Sequence, residues 1–469
     1  MKLYNTLTNK IEDFKEIKKG KVKIYCCGPT VYDYPHIGNL RTFSSVDFLV
    51  RTFEYFNYEI IYVMNITDVD DKIIKNIKEQ KITLKEYTSK YEKIFFESIE
   101  KLNIRKANFY PRATEHINEM VEIIKILLQK GVAYKTEDGS IYYSIAKFKD
   151  YGKLSKIKIE NLKLGARVSV DEYNKENLVD FALWKAYNEN DLDVYWETEI
   201  GKGRPGWHIE CSAMNRKYLN QPFDIHAGGI DLIFPHHENE IAQSEAAFDT
   251  DLANYWFHVN HLIVEGQKMS KSLKNIITIK DIDNPLALRL LYLQTHYRNK
   301  LNFTFENYKG SKTALNSLLA FTNNIFDIMT YFSFQKNQKI ELNSNIKQIV
   351  DNYIKEFELS LKDDLNTPRA ISLLFELVNS INILINKNPI NYFDAEYIFN
   401  AIKKTDKVFG LKLTEFEEIP QEIKDLMIKR NEFRKNKDYH QADIIRNEIL
   451  NRGYIVEDTA WGSRVRKKI

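Results

Sequence analysis

The stretch Tyr25-Cys26-Cys27-Gly28-Pro29-Thr30-Val31-Tyr32-Asp33-Tyr34-Pro35-His36-Ile37-Gly38-Asn39 decides the fold. It follows a short apolar run, Val22 to Cys26, that reads as a strand. From Leu40 to Phe56, apolar residues at Phe43, Val46, Leu49, Val50 and Phe53 recur at helical spacing, and Ile60 to Met64 reads as a second strand. Strand, loop, helix and strand in so short a span make one βαβ unit of a parallel sheet. Ligands of such sheets sit beyond the carboxyl ends of the strands, so this loop lies where a ligand would be. Gly38 stands near the helix start, where backbone N–H groups favour anions and a missing side chain admits close approach. The imidazole of His36 and the amide of Asn39 can donate hydrogen bonds to phosphate oxygens that gain charge during reaction.

A second stretch, Gly266-Gln267-Lys268-Met269-Ser270-Lys271-Ser272, sets two lysines three residues apart in a loop. Such a pair can stabilise pyrophosphate as it leaves a nucleotide. Taken singly, each stretch has an ordinary reading: a helix N-terminus with an incidental histidine, and a solvated basic loop. Together and in this order they resemble the two signatures of class I aminoacyl-tRNA synthetases, with Asn39 where histidine is commoner. The resemblance implies catalytic roles for His36, Asn39, Lys268 and Lys271, and ATP contacts from Gly38 and Lys271.

The 469 residues suit about three domains, and 43% hydrophobic with 28% charged residues is ordinary for a globular protein. A net charge of +3 does not mark a nucleic-acid binder. Residues 421–469 hold 12 Lys and Arg against 8 Asp and Glu, ending in Arg464, Arg466, Lys467 and Lys468. That tail offers phosphate contacts as readily as it makes a solvated terminus. Three cysteines, Cys26, Cys27 and Cys211, are too few for a disulfide framework and suit a reducing compartment. The N-terminus has no apolar signal core, and no run reads as membrane-spanning. A cytoplasmic protein without membrane contact is expected.

Along the chain, Asp68, Asp70 and Asp71 precede a helical run and read as caps in preference to a magnesium site. Helical patterns from Leu84 break near Tyr110-Pro111-Arg112, and residues 134–196 are rich in strands and turns, with Asp138-Gly139 as a hairpin turn. Thr198 to Gly203 reads as loop, and Arg204-Pro205-Gly206-Trp207-His208-Ile209-Glu210-Cys211 as the beginning of a helix, with Pro205 near its start. Phe223 to Asp231 reads as strand and glycine turn, where Gly229 admits an adenosine and Asp231 accepts from ribose hydroxyls. In Phe234-Pro235-His236-His237-Glu238-Asn239-Glu240, Pro235 reads as a first helical residue, and His236 and Glu240 share a face. Beyond residue 305 the pattern is helical, interrupted at Ser360 to Pro368. Cys27, Cys211, His236 and Glu240 make a donor set that suits zinc, although no paired spacing exists and buried small thiols are the plainer reading.

Cys27 to Asp33, Gly203 to Met214, Asp224-Ile225-His226, Phe234 to Glu240 and Lys437 to Asp443 resemble the cysteinyl-tRNA synthetase family along essentially the whole chain. The resemblance implies an α/β split Rossmann-like parallel-sheet catalytic domain with an insertion, then an all-helical bundle and a small anticodon-binding module. Its expected bounds are 1–83 and 203–265 for the two halves of the core, the second with the zinc site, and 84–202 for the insertion. Residues 266–304 would carry the signature loop and stem-contact region, 305–410 the bundle, and 411–469 the anticodon module. It implies one zinc ion on Cys27, Cys211, His236 and Glu240, and a cysteine pocket lined by Gly28, Thr67, Trp207 and His226. Magnesium would arrive with ATP, tRNA(Cys) and L-cysteine would be substrates, and a monomer is expected. Cys26 is expected to be merely buried and His237 a helix neighbour. Asp443, Asp458, Arg434 and Trp461 are candidates for anticodon contacts, with Phe433 standing where the family has a small residue. A mycothiol-pathway cysteine ligase shares the adenylate chemistry, but residues 305–469 would serve no purpose in it.

Overall fold

The computed structural model describes residues 1–157, 180–270, 273–332, 340–416, 419–459 and 462–467. Lys271, Ser272 and Trp461 lie outside the described residues. The chain forms two compact units, residues 1–312 with 359–368, and residues 313–358 with 369–469.

The first unit opens with a hairpin of β1 (Lys2–Asn5) and β2 (Lys10–Asp13). The βαβ unit follows as β3 (Lys21–Cys26), α1 (Ile37–Tyr55) and β4 (Glu59–Met64), with β3 and β4 paired in parallel from Lys21 with Glu59 to Cys26 with Met64. Val22, Ile24, Tyr25 and Cys26 are all buried, because a central parallel strand is covered on both faces. Asp70 caps α2 (Asp71–Gln80) by accepting from the Lys72 N–H at 2.8 Å. Asp68 accepts from the Thr114 N–H and hydroxyl, and Asp71 pairs with Arg204 and Lys185, so the three carboxylates serve as caps and anchors. After α3 (Leu84–Lys101), residues around Phe109 and Arg112 run parallel beside Val63 and Ile66, and α4 (Ile117–Gln129) follows.

Strands β5 (Ala133–Lys135), β6 (Ile141–Tyr143), β7 (Phe181–Ala186), β8 (Trp196–Thr198) and β9 (Gly201–Pro205) form an antiparallel sheet in the order β5-β6-β7-β9-β8. Two readings are corrected here. Only Glu199 and Ile200 form a bend, with Thr198 paired to Gly201 and Gly201 to Gly203 in a strand, and Pro205 ends that strand. The helix α5 (Trp207–Leu219) starts only after Gly206, since pairing of Arg204 with Lys185 holds the preceding residues extended. Strand β10 (Phe223–Gly229) then lies parallel to β3, and after α6 (Glu238–Phe248) comes β11 (Ala253–Val259). The central sheet has the order β11-β10-β3-β4, so the two halves of the fold meet between β10 and β3. Pro235 opens the helix as its sequence position suggests: Phe234 before it is extended (φ −136°, ψ 131°), and the helical turn through Pro235, His236 and His237 runs on into α6 at Glu238.

Strands β12 (Leu262–Val264) and β13 (Gln267–Lys268) form the hairpin that leads into the lysine loop. After α7 (Pro285–Leu293), β14 (Leu301–Phe303) pairs in parallel with β12.

Beyond α8 (Phe305–Tyr331), the second unit contains α9 (Ser344–Lys362), α10 (Thr367–Lys387) and α11 (Tyr392–Phe409). The interruption expected at Ser360 to Pro368 is the break between α9 and α10. Among the described residues α10 alone is long and apolar enough to cross a membrane. Its Ala370, Ile371, Leu374, Leu377 and Ile381 are buried in the protein, as a bundle helix requires. Helices α12 (Gln421–Lys435) and α13 (Tyr439–Asn451) and the hairpin β15 (Tyr454–Thr459) and β16 (Gly462–Lys467) close the chain around a separate small core of Ile423, Met427, Ile445, Ile449 and Val456.

Candidate active site

The site forms at the carboxyl ends of β3 and β10, where strand order reverses and an open parallel sheet leaves a crevice. Cys27 directly follows β3, its N–H donating to the Ala227 carbonyl of β10 at 3.1 Å. Cys211 comes from the first turns of α5, and His236 and Glu240 from the entry to α6. Residues far apart in sequence therefore converge. Cys27 Sγ lies 3.8 Å from Cys211 Sγ and 3.5 Å from Glu240 Oε1, and His236 Nε2 lies 3.1 Å from Glu240 Oε1. The four donor atoms all lie within 4.8 Å of one another, and every residue is buried.

The donors fit a cation. Burial alone would raise the Cys211 thiol, but the Cys27 hydrogen bond and the His236 charge outweigh it and bring the group to about 6. Burial would likewise strip His236 of its proton, yet Cys211 and Glu240 hold the proton on up to about 10. Against the burial that would raise it, His226 and His236 hold Glu240 down at about 2. A thiolate and a carboxylate thus demand a positive charge between them, which a proton on His236 meets here and a soft divalent cation would meet better.

The remaining carboxylate oxygen is anchored. Glu240 Oε2 lies 3.0 Å from His226 Nε2 and accepts from Asn215 Nδ2 at 3.3 Å, leaving Oε1 toward the thiols. Such outer contacts fix a ligand's direction. His226 in turn stacks on Trp256 at 4.5 Å. Trp207 stacks on the His236 ring at 4.3 Å. Gly28 donates its N–H to Asn65 Oδ1, and Asn65 Nδ2 donates to the Thr67 hydroxyl at 3.1 Å. A Cβ at Gly28 would stand 1.8 Å from the Asn65 carbonyl oxygen, so no larger residue fits there.

His237 is more than a helix neighbour. Its Nε2 lies 3.3 Å from Cys27 Sγ, its Nδ1 2.8 Å from His258 Nε2, and His258 Nδ1 2.8 Å from the Thr6 hydroxyl. Cys27, His226, His237 and Glu240 form a second, overlapping donor set. The set with two thiols suits zinc better. A histidine four residues from its partner signals a shared helix face, whereas this chain of contacts joins three separate strands and turns and has no sequence pattern. Cys26 is buried outside the cluster, its thiol pushed up to about 12 by burial.

His36, in the loop that leaves β3, caps α1. Its Nδ1 accepts from the Asn39 N–H at 3.1 Å, and Asn39 Oδ1 accepts from the His36 N–H at 3.3 Å. This closed capping box needs an acceptor at residue 39, which asparagine supplies while keeping its NH2 to donate. An accepting Nδ1 places the His36 proton on Nε2. Burial lowers the affinity of His36 for a second proton, partly opposed by Asp231. Gly229 ends β10, and exposed Asp231 folds back over it. Gly38 lies against the Met269 methyl. Lys268 is exposed on β13. The structure thus brings His36, Gly38, Asn39, Gly229 and Asp231 to one rim. Of the tail residues, Asp458 is engaged by Arg430 and Arg434, and Asp443 is exposed on α13.

Residues 13–313 match the family model described as tRNA synthetases class I (C) catalytic domain, and residues 356–414 match the DALR domain. The fold is similar to that of Mycobacterium tuberculosis methionyl-tRNA synthetase in complex with methionyl-adenylate, at a TM-score of 0.60 and 13% identity over 83% of this chain and 89% of that one. Sequence relatives are closer. A cysteine–tRNA ligase of Protochlamydia amoebophila (strain UWE25) is 44% identical over 100% of this chain and 98% of its own length. One of Brachyspira hyodysenteriae is 44% identical over 99% of both. The chain belongs to the class I tRNA synthetases, and within them to the cysteine–tRNA ligase family.

Proposed function

We propose that this chain activates L-cysteine with ATP to cysteinyl-adenylate and transfers the cysteinyl group to the 3′ end of tRNA(Cys). The observation that carries the reading is the buried set of two thiols, one imidazole and one carboxylate, in the same crevice as the capped His36. Cys27, Cys211, His236 and Glu240 would hold one zinc ion, which when bound supplies a Lewis acid for the substrate thiolate. His226 and Asn215 hold Glu240 in place, and Gly28, Thr67 and Trp207 line the room left for the amino acid. His36 Nε2–H and the Asn39 amide donate to phosphate oxygens of an ATP that arrives with magnesium, Gly38 and Gly229 admit the nucleotide, and Asp231 accepts from its ribose. Attack of the cysteine carboxylate on the α-phosphorus forms one P–O bond and breaks another, and Lys268 and Lys271 offset the charge that collects on leaving pyrophosphate.

Full-length similarity to cysteine–tRNA ligases and the DALR match support this reading over the mycothiol-pathway ligase. We assign residues 1–83 and 203–265 to the two halves of the catalytic core, 84–202 to the insertion, 266–304 to the signature loop and stem contact, 305–410 to the bundle, and 411–469 to anticodon binding. The chain acts in the cytoplasm as a monomer. The test is cysteine-dependent ATP–pyrophosphate exchange and charging of a tRNA(Cys) transcript with each amino acid, with metal analysis of the same protein. Exchange with cysteine alone and one zinc per chain are expected; activation of another amino acid, or activity without metal, would refute the reading.

A further inference from the structure

Arg41, in the second turn of α1, is 1% exposed, and backbone carbonyls take its guanidinium. Nη1 donates to the carbonyls of Asn260 (2.9 Å) and His261 (2.8 Å), and Nη2 to those of His296 (3.2 Å) and Asn299 (2.7 Å). The first two residues immediately precede β12, whose hairpin partner carries Lys268. The second two precede β14, which pairs with β12 from Leu262 with Leu301 to Val264 with Phe303. The far end of the lysine loop returns to the same helix. The Ile37 N–H donates to the Ile277 carbonyl at 2.9 Å, and His36 bridges Thr278. Buried Tyr292 donates its hydroxyl to the Ile37 carbonyl at 2.8 Å. Both ends of the loop that bears the lysines are therefore moored to the first two turns of the helix that bears His36 and Asn39.

We propose that Arg41 is a positioning residue for adenylate formation: it fixes the β12–β13–β14 sheet to α1, so that Lys268 and the His36–Asn39 cap address the same phosphates. The inference rests on the ATP chemistry proposed above. A guanidinium suits the task, because its two terminal nitrogens present four N–H groups in one plane and here reach two chain segments at once. Lysine's three donors radiate from one atom and cannot span them. The cysteine pocket is held by other bonds, those of Asn65, His226 and Asn215, so loss of Arg41 moves the phosphate-binding side alone.

The test compares wild type, Arg41→Lys and Tyr292→Phe for exchange kcat, KM for cysteine, bound zinc and thermal unfolding. Arg41→Lys should lower kcat by ~10–10²-fold, the size expected when catalytic groups shift by about 1 Å. KM for cysteine and bound zinc should stay within about twofold of wild type, because the pocket is untouched. Tyr292→Phe, which removes one hydrogen bond, should show the same pattern at roughly threefold. A folded Arg41→Lys protein with wild-type kcat would overturn the proposal, as would a KM for cysteine that rises in step with the fall in kcat. If Arg41→Lys does not fold, an unchanged kcat in Tyr292→Phe overturns it. Absence of cysteine-dependent exchange in wild type would instead overturn the proposed function.

Discussion

Cys27, Cys211, His236 and Glu240 are at most 6% exposed, and each is fixed by side chains from other elements. The lysine loop is built otherwise. Gln267 and Lys268 are exposed, and Asn275 spans the loop, accepting from the Ser270 N–H at 2.9 Å and donating to the Lys268 carbonyl at 3.2 Å. One region is finished before substrate arrives, and the other is anchored at its ends, with Gln267 and Lys268 exposed between them. A group that selects by coordination gains from rigid ligands, whereas groups that meet charge developing on a leaving pyrophosphate act on the transition state.

That contrast breaks first at the pocket. Cys27→Ser, Cys211→Ser or His236→Ala should each lose bound zinc and lower cysteine-dependent exchange by about 10³-fold or more, since removing one ligand also strips the anchor for the substrate thiolate. Metal analysis and exchange on the same samples check it. The lysines should behave differently. Lys271→Ala and Lys268→Ala should lower exchange kcat by ~10²–10³-fold with KM for cysteine nearly unchanged, as when a transition-state donor is removed. A variant with normal kcat and only a raised cysteine requirement would erase the distinction between the two regions.

A third comparison separates both regions from the tail. Leu411 and Leu413 are buried, their N–H groups held by Asp406, so a cut at 411 would damage the bundle, and a cut before Ile419 spares it. Removing residues 419–469 should leave exchange near wild type while charging of tRNA falls at least ~10²-fold, as when specific nucleic-acid contacts are lost. Equal loss of both in a folded truncation would contradict the modular assignment. The smallest effect is expected at Asn215. Asn215→Ala removes one of two anchors of Glu240 Oε2 and should weaken zinc binding roughly tenfold, measured by competition with a chelator.

Much of this was legible in the sequence because it is local. The β3–loop–α1–β4 unit announces itself by periodicity, and the asparagine at residue 39 is explained by the capping box it closes. What was not legible depends on convergence across the fold. The position of Pro205 suits a helix start, but strand pairing at Arg204 holds that proline outside α5, whereas Pro235 does follow an extended residue, Phe234, into the helix. His237 could not be told from a passive neighbour, because its partners are Cys27, just after β3, and His258, on β11. Arg41 looks like any helical arginine until the four carbonyls around it are seen. Asp458 and Arg434, read as anticodon candidates, face each other across 2.7 Å.

The most direct measurement is the ratio of cysteine- to serine-dependent ATP–pyrophosphate exchange, taken with zinc bound, after chelation, and after zinc is restored. Serine differs by one atom, and shape alone rejects a near-isostere by only ~10²-fold. If Cys27, Cys211, His236 and Glu240 select through a metal-bound thiolate, the zinc-loaded protein should favour cysteine by ~10⁴-fold or more. Chelation should abolish cysteine activation, and added zinc should restore it. A metal-free protein that still activated cysteine efficiently and excluded serine would contradict the account.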